Sequence, residues 1–211
     1  MLMKLPKIIH QIWIGPDEMP EKCKKASAKM KAMHHGWEYK LWDNEAVFEG
    51  QFKDDPYLKS WKNKISSEYL LQPAFIADRV RLLILKAMGG IYVDIDALPI
   101  RPFDEILPAL GDKHNFFGGL RQHDDYSNMI DVTVLGAEPN ARVINTILEE
   151  NDFPMSGLHI SWALFKNLDA DMCIFGEDYF YTEGEPNEKT IILHEDNRMV
   201  TWTNKRPEWM L

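Results

Sequence analysis

The sequence predicts an α/β fold, because short β-branched and aromatic runs alternate along it with segments of helical periodicity. The first strand, Lys7–Ile14, is an apolar run that a Gly-Pro pair ends. In Ala77–Pro102, apolar residues at helical spacing lead to a Gly-Gly pair and then to the strand Ile91-Tyr92-Val93. A chain of 211 residues suits one domain with its own core, so we expect residues 1–211 to form a single domain.

The other elements continue this alternation. The lysine-rich segment Asp17–Met33 predicts a surface helix whose charged side chains are solvated. Further helices or helical turns are predicted at 44–48, 54–60, 65–71, from Pro73 to Met88, 103–110, 140–150 and, capped by Ser156, through Asn167. Further strands are predicted at 37–42, 115–120, 129–136, 173–181 and 190–193, with a polar loop at 122–128.

Two aspartates stand at the end of the strand that follows the Gly-Gly pair. Because side chains alternate along a strand, Tyr92, Asp94 and Asp96 share one side. Two carboxylates this close repel each other unless a cation lies between them, and their oxygens suit Mg²⁺ or Mn²⁺. Asp-x-Asp alone is a weak signal, as is Asp78-x-x-Arg81 upstream, which on its own predicts a surface ion pair of about 0–1 kcal/mol.

Charge and cysteine usage limit the functional classes. A net charge of −9 argues against a nucleic-acid partner, which usually requires a basic face, although a metal could still neutralise a nucleotide diphosphate. The two cysteines, Cys23 and Cys173, indicate a reduced, cytoplasmic protein, with a single disulfide left open. The N-terminus lacks the pattern of a signal peptide, and no apolar run approaches the ~20 residues of a membrane span.

The segment ADRVRLLILKAMGGIYVDIDALPI resembles the signature of the sugar-binding, DXD-containing glycosyltransferases of family 32. It is also similar to the glucosyltransferase domains of large clostridial toxins. The family pattern is a small residue, Asp-x-x-Arg, a spacer, and Gly-Gly-hydrophobic-Tyr-hydrophobic-Asp-x-Asp, and every fixed position is filled here. The resemblance implies a GT-A-like, Rossmann-like fold, with a mostly parallel central sheet flanked by helices and a nucleotide at the carboxyl ends of the strands.

The resemblance also implies roles for individual residues around the motif. Asp78 and Arg81 would bind hydroxyls of a donor sugar, with Tyr92 near the donor. Asp94 and Asp96 would be the D-x-D pair on Mn²⁺ or Mg²⁺, Asp94 contacting the ribose or sharing the metal.

Matches at both ends of the chain add to this site. The opening Lys-Ile-Ile-His-x-x-Trp-Ile-Gly implies that Ile12 and Trp13 meet the nucleotide base, with Trp13 stacking on it, although composition alone favours a core tryptophan. Near the C-terminus, His194 would complete the metal shell or contact the diphosphate, and Trp202 would close over the nucleotide sugar. Each of these two also has a plain structural interpretation, as a hydrogen-bonded surface histidine and a packed tryptophan.

The function that follows is metal-dependent transfer of a hexose from a nucleotide sugar, UDP-linked by resemblance, with retention of configuration, as in polysaccharide biosynthesis. The acceptor stays open, whether glycan, lipid-linked sugar, protein or nucleic acid. The chain departs from the family at Asp131, where an asparagine is common, so no specific role carries over to that position.

Two other functions compete with this one. A nucleotide-sugar or glycan-binding module would keep the fold and lose turnover. A phosphatase of the haloacid-dehalogenase type also uses Asp-x-Asp after a strand, but its motif normally follows the first strand, and Asp124-Asp125 is the only Asp-Asp pair downstream of the motif here. The adjacent His34 and His35 are a weak metal pair, because neighbouring residues on a helix point apart.

Overall fold

The structure is a computed structural model that describes residues 5–62, 72–123, 126–150, 157–181 and 185–194. The helix or turn predicted at 65–71, the cap at Ser156, the acidic pair Asp124-Asp125 and the proposed lid residue Trp202 lie outside the described residues. Cys23 and Cys173 are both free thiols. Within the described ranges, no helix is both long and apolar enough to cross a membrane.

A central sheet of six strands organises the described chain. The strands are β1 (Ile8–Ile12), β2 (Glu38–Trp42), β3 (Gly90–Val93), β4 (Leu98–Pro99), β5 (Phe116–His123), β6 (Tyr126–Ala137), β7 (Met172–Phe175) and β8 (Ile192–Leu193). The sheet has the order β2-β1-β3-β6-β5-β7, while β4 and β8 form a separate antiparallel pair. Only β6 runs against the other five strands of the central sheet, so the prediction of a mostly parallel sheet is confirmed.

Helices cover both faces of this sheet, as predicted. They are α1 (Glu21–Met33), α2 (Asn44–Phe48), α3 (Pro56–Trp61), α4 (Gln72–Met88), α5 (Leu107–Leu110), α6 (Arg142–Glu150), α7 (Gly157–Lys166) and α8 (Glu177–Phe180), with a 3₁₀ turn at Phe103–Glu105. One apolar core lies between the sheet and α2, α3, α4, α6 and α7. The other lies on the opposite face, against α1, the 3₁₀ turn and α8. Strand alternation divides the two cores, since Tyr92 faces the first and Ile91 and Val93 face the second.

The structure differs from the sequence predictions in two segments, and it contains one strand that was not predicted. The prediction of a polar loop at 122–128 was wrong, because β5 and β6 pair with each other through most of this segment. The register runs from Arg121–Met129 to His123–Tyr126, and residues 124–125 lie outside the described residues. The strand predicted at 173–181 ends at Phe175, and α8 follows, with Glu177 and Asp178 in its first turn, where acidic side chains favour a helix. The short strand β4 was not predicted at all.

The Gly-Gly turn joins α4 to β3 by a route that side chains would block. Gly89 and Gly90 have φ values of +63° and +92°. A Cβ on Gly90 would lie 2.6 Å from the carbonyl oxygen of Ile8, so β3 reaches its place beside β1 only because this residue is glycine. The turn therefore fixes where the strand that carries the two aspartates ends.

Gly90→Ala should destabilise the protein by about 3 kcal/mol, because it adds left-handed strain to a collision with backbone. Gly36→Ala is the matched control, since Gly36 has φ +82° but a Cβ there would meet nothing within 4 Å. The control should lose only about 1 kcal/mol. Urea unfolding measures both variants, and equal losses would show that strain alone, rather than the approach to β1, sets the requirement for glycine.

A buried histidine holds the other side of this turn. The Nε2–H of His10 donates to the carbonyl oxygen of Gly89 at 2.9 Å, and Nδ1 accepts from the indole N–H of Trp42 at 3.2 Å. With one nitrogen donating and the other accepting, the ring is neutral. Burial lowers the pKa of His10 to about 4, despite the hydrogen bond to Gly89.

Acid should therefore destabilise the fold through His10. The unfolded chain protonates this residue near its ordinary pKa of 6.5 and the folded chain only near 4, so the unfolded state binds more protons between these values. Between pH 6.5 and pH 4 the protein should lose up to about 3 kcal/mol through this residue. His10→Gln should be less stable at neutral pH but show a flatter pH dependence, measured by urea unfolding across the range. Parallel pH profiles for the two proteins would contradict this assignment.

Candidate functional site

Arg81 lies at the centre of the predicted site, at the carboxyl edge of the sheet. Its side chain comes from α4 and is only 5% exposed. Nη2 lies 2.6 Å from Oδ1 of Asp78, and Nη1 lies 3.3 Å from Oδ1 of Asp94, just beyond β3. The pair Asp78–Arg81 is therefore a buried ion pair that reaches the Asp-x-Asp motif, and the surface interpretation of this pair is wrong.

Two further contacts fix the orientation of the guanidinium group, and Tyr92, which makes one of them, also bonds Asp94. Nη1 donates to the carbonyl oxygen of Val132 in β6 at 2.7 Å. The guanidinium carbon lies 4.5 Å from the centre of the Tyr92 ring, a cation–π arrangement. The hydroxyl of Tyr92 in turn donates to Oδ1 of Asp94 at 2.6 Å. One arginine thus ties together α4, the end of β3 and the middle of β6.

Asp78 has a second partner that the sequence did not indicate. The backbone N–H of Gly157, at the start of α7, donates to its carboxyl group. A Cβ at Gly157 would lie 3.0 Å from Cγ2 of Val132 and within 4 Å of both carboxyl oxygens of Asp78, so this approach favours glycine. Burial raises the pKa of Asp78 to about 6, against the opposing charge of Arg81 and with the help of the charge of Asp94.

Asp94, Asp96 and His194 form a compact group beside this ion pair. One ligand atom from each residue lies within 4.8 Å of the other two, and Nε2 of His194 is 3.6 Å from Oδ1 of Asp96. His194 reaches this place because β8 pairs with β4, which begins two residues after Asp96, in the register Leu98–Leu193. The structure therefore brings together the three residues that the sequence assigned to a metal.

The chemistry of this group fits a divalent cation. Two carboxylates and an imidazole are ligand types that Mn²⁺ accepts, and the carboxylates alone suit Mg²⁺. Burial lowers the pKa of His194, but the contact with Asp96 and the charges of Asp96, Asp94 and Asp131 outweigh it and raise the pKa to about 9. Burial also raises the pKa of Asp94. Nδ1 of His194 is buried without a hydrogen-bond partner among the described residues. The group therefore attracts positive charge, and its carboxylate oxygens and imidazole nitrogens can serve as metal ligands.

Asp131 heads a second polar cluster behind His194. It accepts hydrogen bonds from the hydroxyl of Tyr181 and from the backbone N–H of Thr133, and it pairs with Arg121 at 3.3 Å. The ring of Tyr181 packs edge-on against His194, with centroids 6.0 Å apart. Sequence reasoning missed Tyr181 because it placed that residue in a strand, and the family pattern assigned nothing to Asp131. The only signal was the acidic residue in place of the usual asparagine.

The remaining predicted residues differ in exposure. Ile12 is 4% exposed and belongs to the core, while Trp13 is half-buried at the end of β1, where its indole N–H donates to the carbonyl oxygen of Asp17. His34 is not a metal ligand in this arrangement, because Nδ1–H donates to Met30 and Nε2 accepts from the N–H of Phe103. Its role is to anchor the end of α1 to the 3₁₀ turn.

Arg81→Lys should weaken both the fold and donor binding, because a point charge replaces a fork that bonds Asp78, Asp94 and Val132 together. We expect a loss of about 2–3 kcal/mol in the free energy of unfolding. We also expect a raised KM for the nucleotide sugar, measured by steady-state kinetics. Arg79→Lys is the matched control on the same helix, since Arg79 pairs with Asp55 at 3.1 Å outside the cluster. Equal effects of the two substitutions would contradict the central position given to Arg81.

Comparison with known proteins agrees with this geometry. The family described as "Glycosyltransferase sugar-binding region containing DXD motif" matches residues 20–111, which include Asp78, Arg81, Asp94 and Asp96. An uncharacterized glycosyltransferase of Acanthamoeba polyphaga mimivirus is 30% identical over 158 residues, covering 70% of this chain and 58% of that protein.

Two fungal relatives match shorter stretches. Inositol phosphoceramide mannosyltransferase 3 of Schizosaccharomyces pombe is 37% identical over 103 residues, covering 49% of this chain and 27% of that protein. A mannosyl phosphorylinositol ceramide synthase of Saccharomyces cerevisiae is 30% identical over 129 residues, covering 56% and 32%. The chain thus spans about three fifths of the viral relative and about a third or less of these two fungal ones.

Solved structures share the fold. A glycosyltransferase involved in the glycosylation of the major capsid of PBCV-1 superimposes with a TM-score of 0.58 at 10% identity, covering 95% of this chain and 98% of that one. The PaToxG glycosyltransferase gives a TM-score of 0.51 at 20% identity, covering 78% and 70%. Residues 20–111 thus match the glycosyltransferases with a DXD-containing sugar-binding region, the relatives named above are glycosyltransferases, and the chain has the GT-A fold.

Proposed function

We propose that this protein transfers a hexose from a nucleotide sugar to an acceptor in a reaction that depends on a divalent metal ion. The observation that carries the proposal is the junction at Arg81, which joins the pair expected to bind the sugar to the group expected to bind the metal. A donor held by both would place its sugar near Asp78 and its diphosphate near Asp96 and His194.

Charge explains why such a site suits sugar transfer. When the bond between sugar and diphosphate breaks, negative charge develops on the leaving phosphate and positive charge on the anomeric carbon. Asp94, Asp96 and His194 would hold Mn²⁺ or Mg²⁺, and the ion would supply Lewis-acid stabilisation of the leaving diphosphate. Asp78 and Arg81 would hold sugar hydroxyls, and their mutual ion pair fixes both groups before the donor arrives. Tyr92 positions Asp94 through its hydroxyl.

The nucleotide end of the donor belongs at β1. Trp13 stands at the carboxyl end of this strand, and its half-buried indole offers a flat apolar face to a base. Ile12 is buried in the core, so we propose that it lies beneath the base and supports it from below. Trp202, outside the described residues, is proposed to close over the bound sugar.

The donor and acceptor remain proposals with different supports. The family resemblance supports a uridine nucleotide and retention of configuration. The names of the fungal relatives support mannose as the transferred hexose and an inositol phosphoceramide as one kind of acceptor. We also propose a cytoplasmic setting, which the two free thiols of Cys23 and Cys173 support.

The first test is release of nucleoside diphosphate from a panel of UDP- and GDP-linked hexoses, with Mn²⁺, with Mg²⁺ and with EDTA. We expect slow hydrolysis of one donor that EDTA abolishes. Asp96→Ala should reduce this turnover by on the order of a hundredfold or more, because one metal ligand is lost. Asp54→Ala is the control, since its carboxylate pairs with Lys59 at an exposed position.

Each alternative function has its own outcome in this assay. Binding of a nucleotide sugar without any turnover, even with candidate acceptors added, would favour the binding module. Release of inorganic phosphate from simple phosphate esters would favour the phosphatase. The proposal would be refuted if the protein showed no metal-dependent nucleotide binding and released no nucleoside diphosphate from any donor.

A further inference from the structure

Tyr181 lies between His194 and an ion pair to which the proposed reaction assigns no role. It follows α8 and is 7% exposed, and its ring packs edge-on against the imidazole of His194, with the two planes at 63°. Its hydroxyl donates to Oδ1 of Asp131 in β6. The guanidinium carbon of Arg121 in β5 lies 5.5 Å from the centre of the Tyr181 ring. Partners on two strands of the central sheet therefore hold this ring in place.

Asp131 is fully engaged in holding its neighbours. Its Oδ1 accepts from the backbone N–H of Thr133 at 2.7 Å and from the hydroxyl of Tyr181, while Oδ2 lies 3.3 Å from Nη1 of Arg121. An asparagine has one side-chain oxygen and no charge, so it could not both accept these two bonds and balance the arginine. The acidic residue at this position thus has a structural reason, which is the anchoring of Tyr181.

The imidazole of His194 depends on packing for its orientation. Nε2 lies 3.6 Å from Oδ1 of Asp96, and the buried Nδ1 has no hydrogen-bond partner among the described residues. A histidine that binds a metal normally bonds through its other ring nitrogen to a neighbour that fixes the plane of the ring. Here an edge-on contact with Tyr181, which is a preferred geometry for aromatic rings, stands where such a bond would be expected.

The backbone near His194 is anchored independently of its side chain. The N–H of Ile191 donates to the carbonyl oxygen of Tyr179 in α8 at 2.9 Å, and β8 then pairs with β4. These bonds fix where the chain runs but leave the imidazole free to rotate about its side-chain bonds. Within the described ranges, Tyr181 supplies the one aromatic ring in contact with His194, and so it restricts this rotation.

We propose that Tyr181 is a positioning residue that holds the imidazole of His194 toward Asp96 for metal binding, and that Asp131 and Arg121 hold Tyr181 in turn. Tyr181 acts through His194 and is not itself a metal ligand. The inference rests on the proposed function, because it requires that His194 bind the metal ion. It gives the cluster around Asp131 a task in the same site, which is to set the affinity for the ion.

The test is the affinity of the metal-free full chain for Mn²⁺ alone, measured by electron paramagnetic resonance of the free ion. The wild type should bind Mn²⁺, and Asp96→Ala should abolish this binding. Tyr181→Leu should weaken it about tenfold, as is usual when a residue that orients a ligand is lost. Tyr181→Phe keeps the ring and loses the bond to Asp131, so we expect a loss of a few-fold. Tyr179→Leu is the matched control, since that ring packs on Phe175 with centroids 5.0 Å apart.

Two further measurements separate positioning from a general loss of structure. Mg²⁺ prefers oxygen ligands, so Tyr181→Leu should weaken the binding of Mg²⁺ less than that of Mn²⁺. In a His194→Ala background, Tyr181→Leu should have no further effect on Mn²⁺ affinity, because the residue through which it acts is already gone. Urea unfolding confirms that each variant is folded under the conditions of the binding measurement.

The outcomes distinguish this inference from the function on which it rests. Unchanged Mn²⁺ affinity in Tyr181→Leu would overturn it, as would an equal loss in Tyr179→Leu, an equal loss for Mg²⁺, or a full loss that persists in the His194→Ala background. In each of these cases the Asp96-dependent binding of the wild type still supports the proposed reaction. A wild type that binds no Mn²⁺, or binds it equally well after Asp96→Ala, would overturn the proposed metal site and this inference together.

Discussion

A buried positive charge underlies the architecture of the site. The guanidinium group of Arg81 is removed from water, and taking such a charge into the interior is tolerated only when good partners surround it. Those partners come from three elements: Asp78 in α4 itself, Asp94 after β3, and the carbonyl oxygen of Val132 in β6. Because each partner is needed to compensate the charge, none of these elements can shift alone. The pair proposed to bind the sugar and the group proposed to bind the metal are therefore parts of one rigid arrangement.

The surroundings of Arg81 leave the site short of positive charge. Asp94, Asp96 and Asp131 lie around His194, and their charges are enough to raise its pKa although it is buried. The positive charge of Arg121 offsets the charge of Asp131, and the hydroxyl of Tyr181 donates a hydrogen bond to the same carboxylate. The remaining positive charge near the two aspartates of the motif comes from Arg81, which Asp94 shares with Asp78, and from the imidazole of His194 beside Asp96. A divalent cation would complete this balance, and a diphosphate arriving with it would add oxygen ligands of the kind that Mg²⁺ and Mn²⁺ prefer.

The sequence was informative where structure follows from local rules. Helical spacing from Ile76 to Ala87 and the Gly-Gly turn predicted α4 and β3. Strand alternation did not extend to the motif, because β3 ends at Val93 and Asp94 and Asp96 come together in the turn that follows. What failed depends on neighbours distant in the chain. The polar residues near 122 are in strands because β5 and β6 satisfy each other's backbone groups whatever their side chains are. The contacts of Gly157 and Tyr181 arise from packing, and no local pattern marks either residue as part of a site.

The pairing of β4 with β8 has a consequence for the order in which the protein is made. Leu98 and Leu193 are partners although nearly half of the chain separates them, and contacts between such distant residues generally form late in folding. On the ribosome, α4, β3 and the two aspartates emerge long before His194 does, and domains begin to fold from the N-terminal side during synthesis. The nascent chain would therefore pass through a stage in which both carboxylates are present and the imidazole is still missing. Competence to hold a metal through all three ligands is acquired only as the last described strand is added.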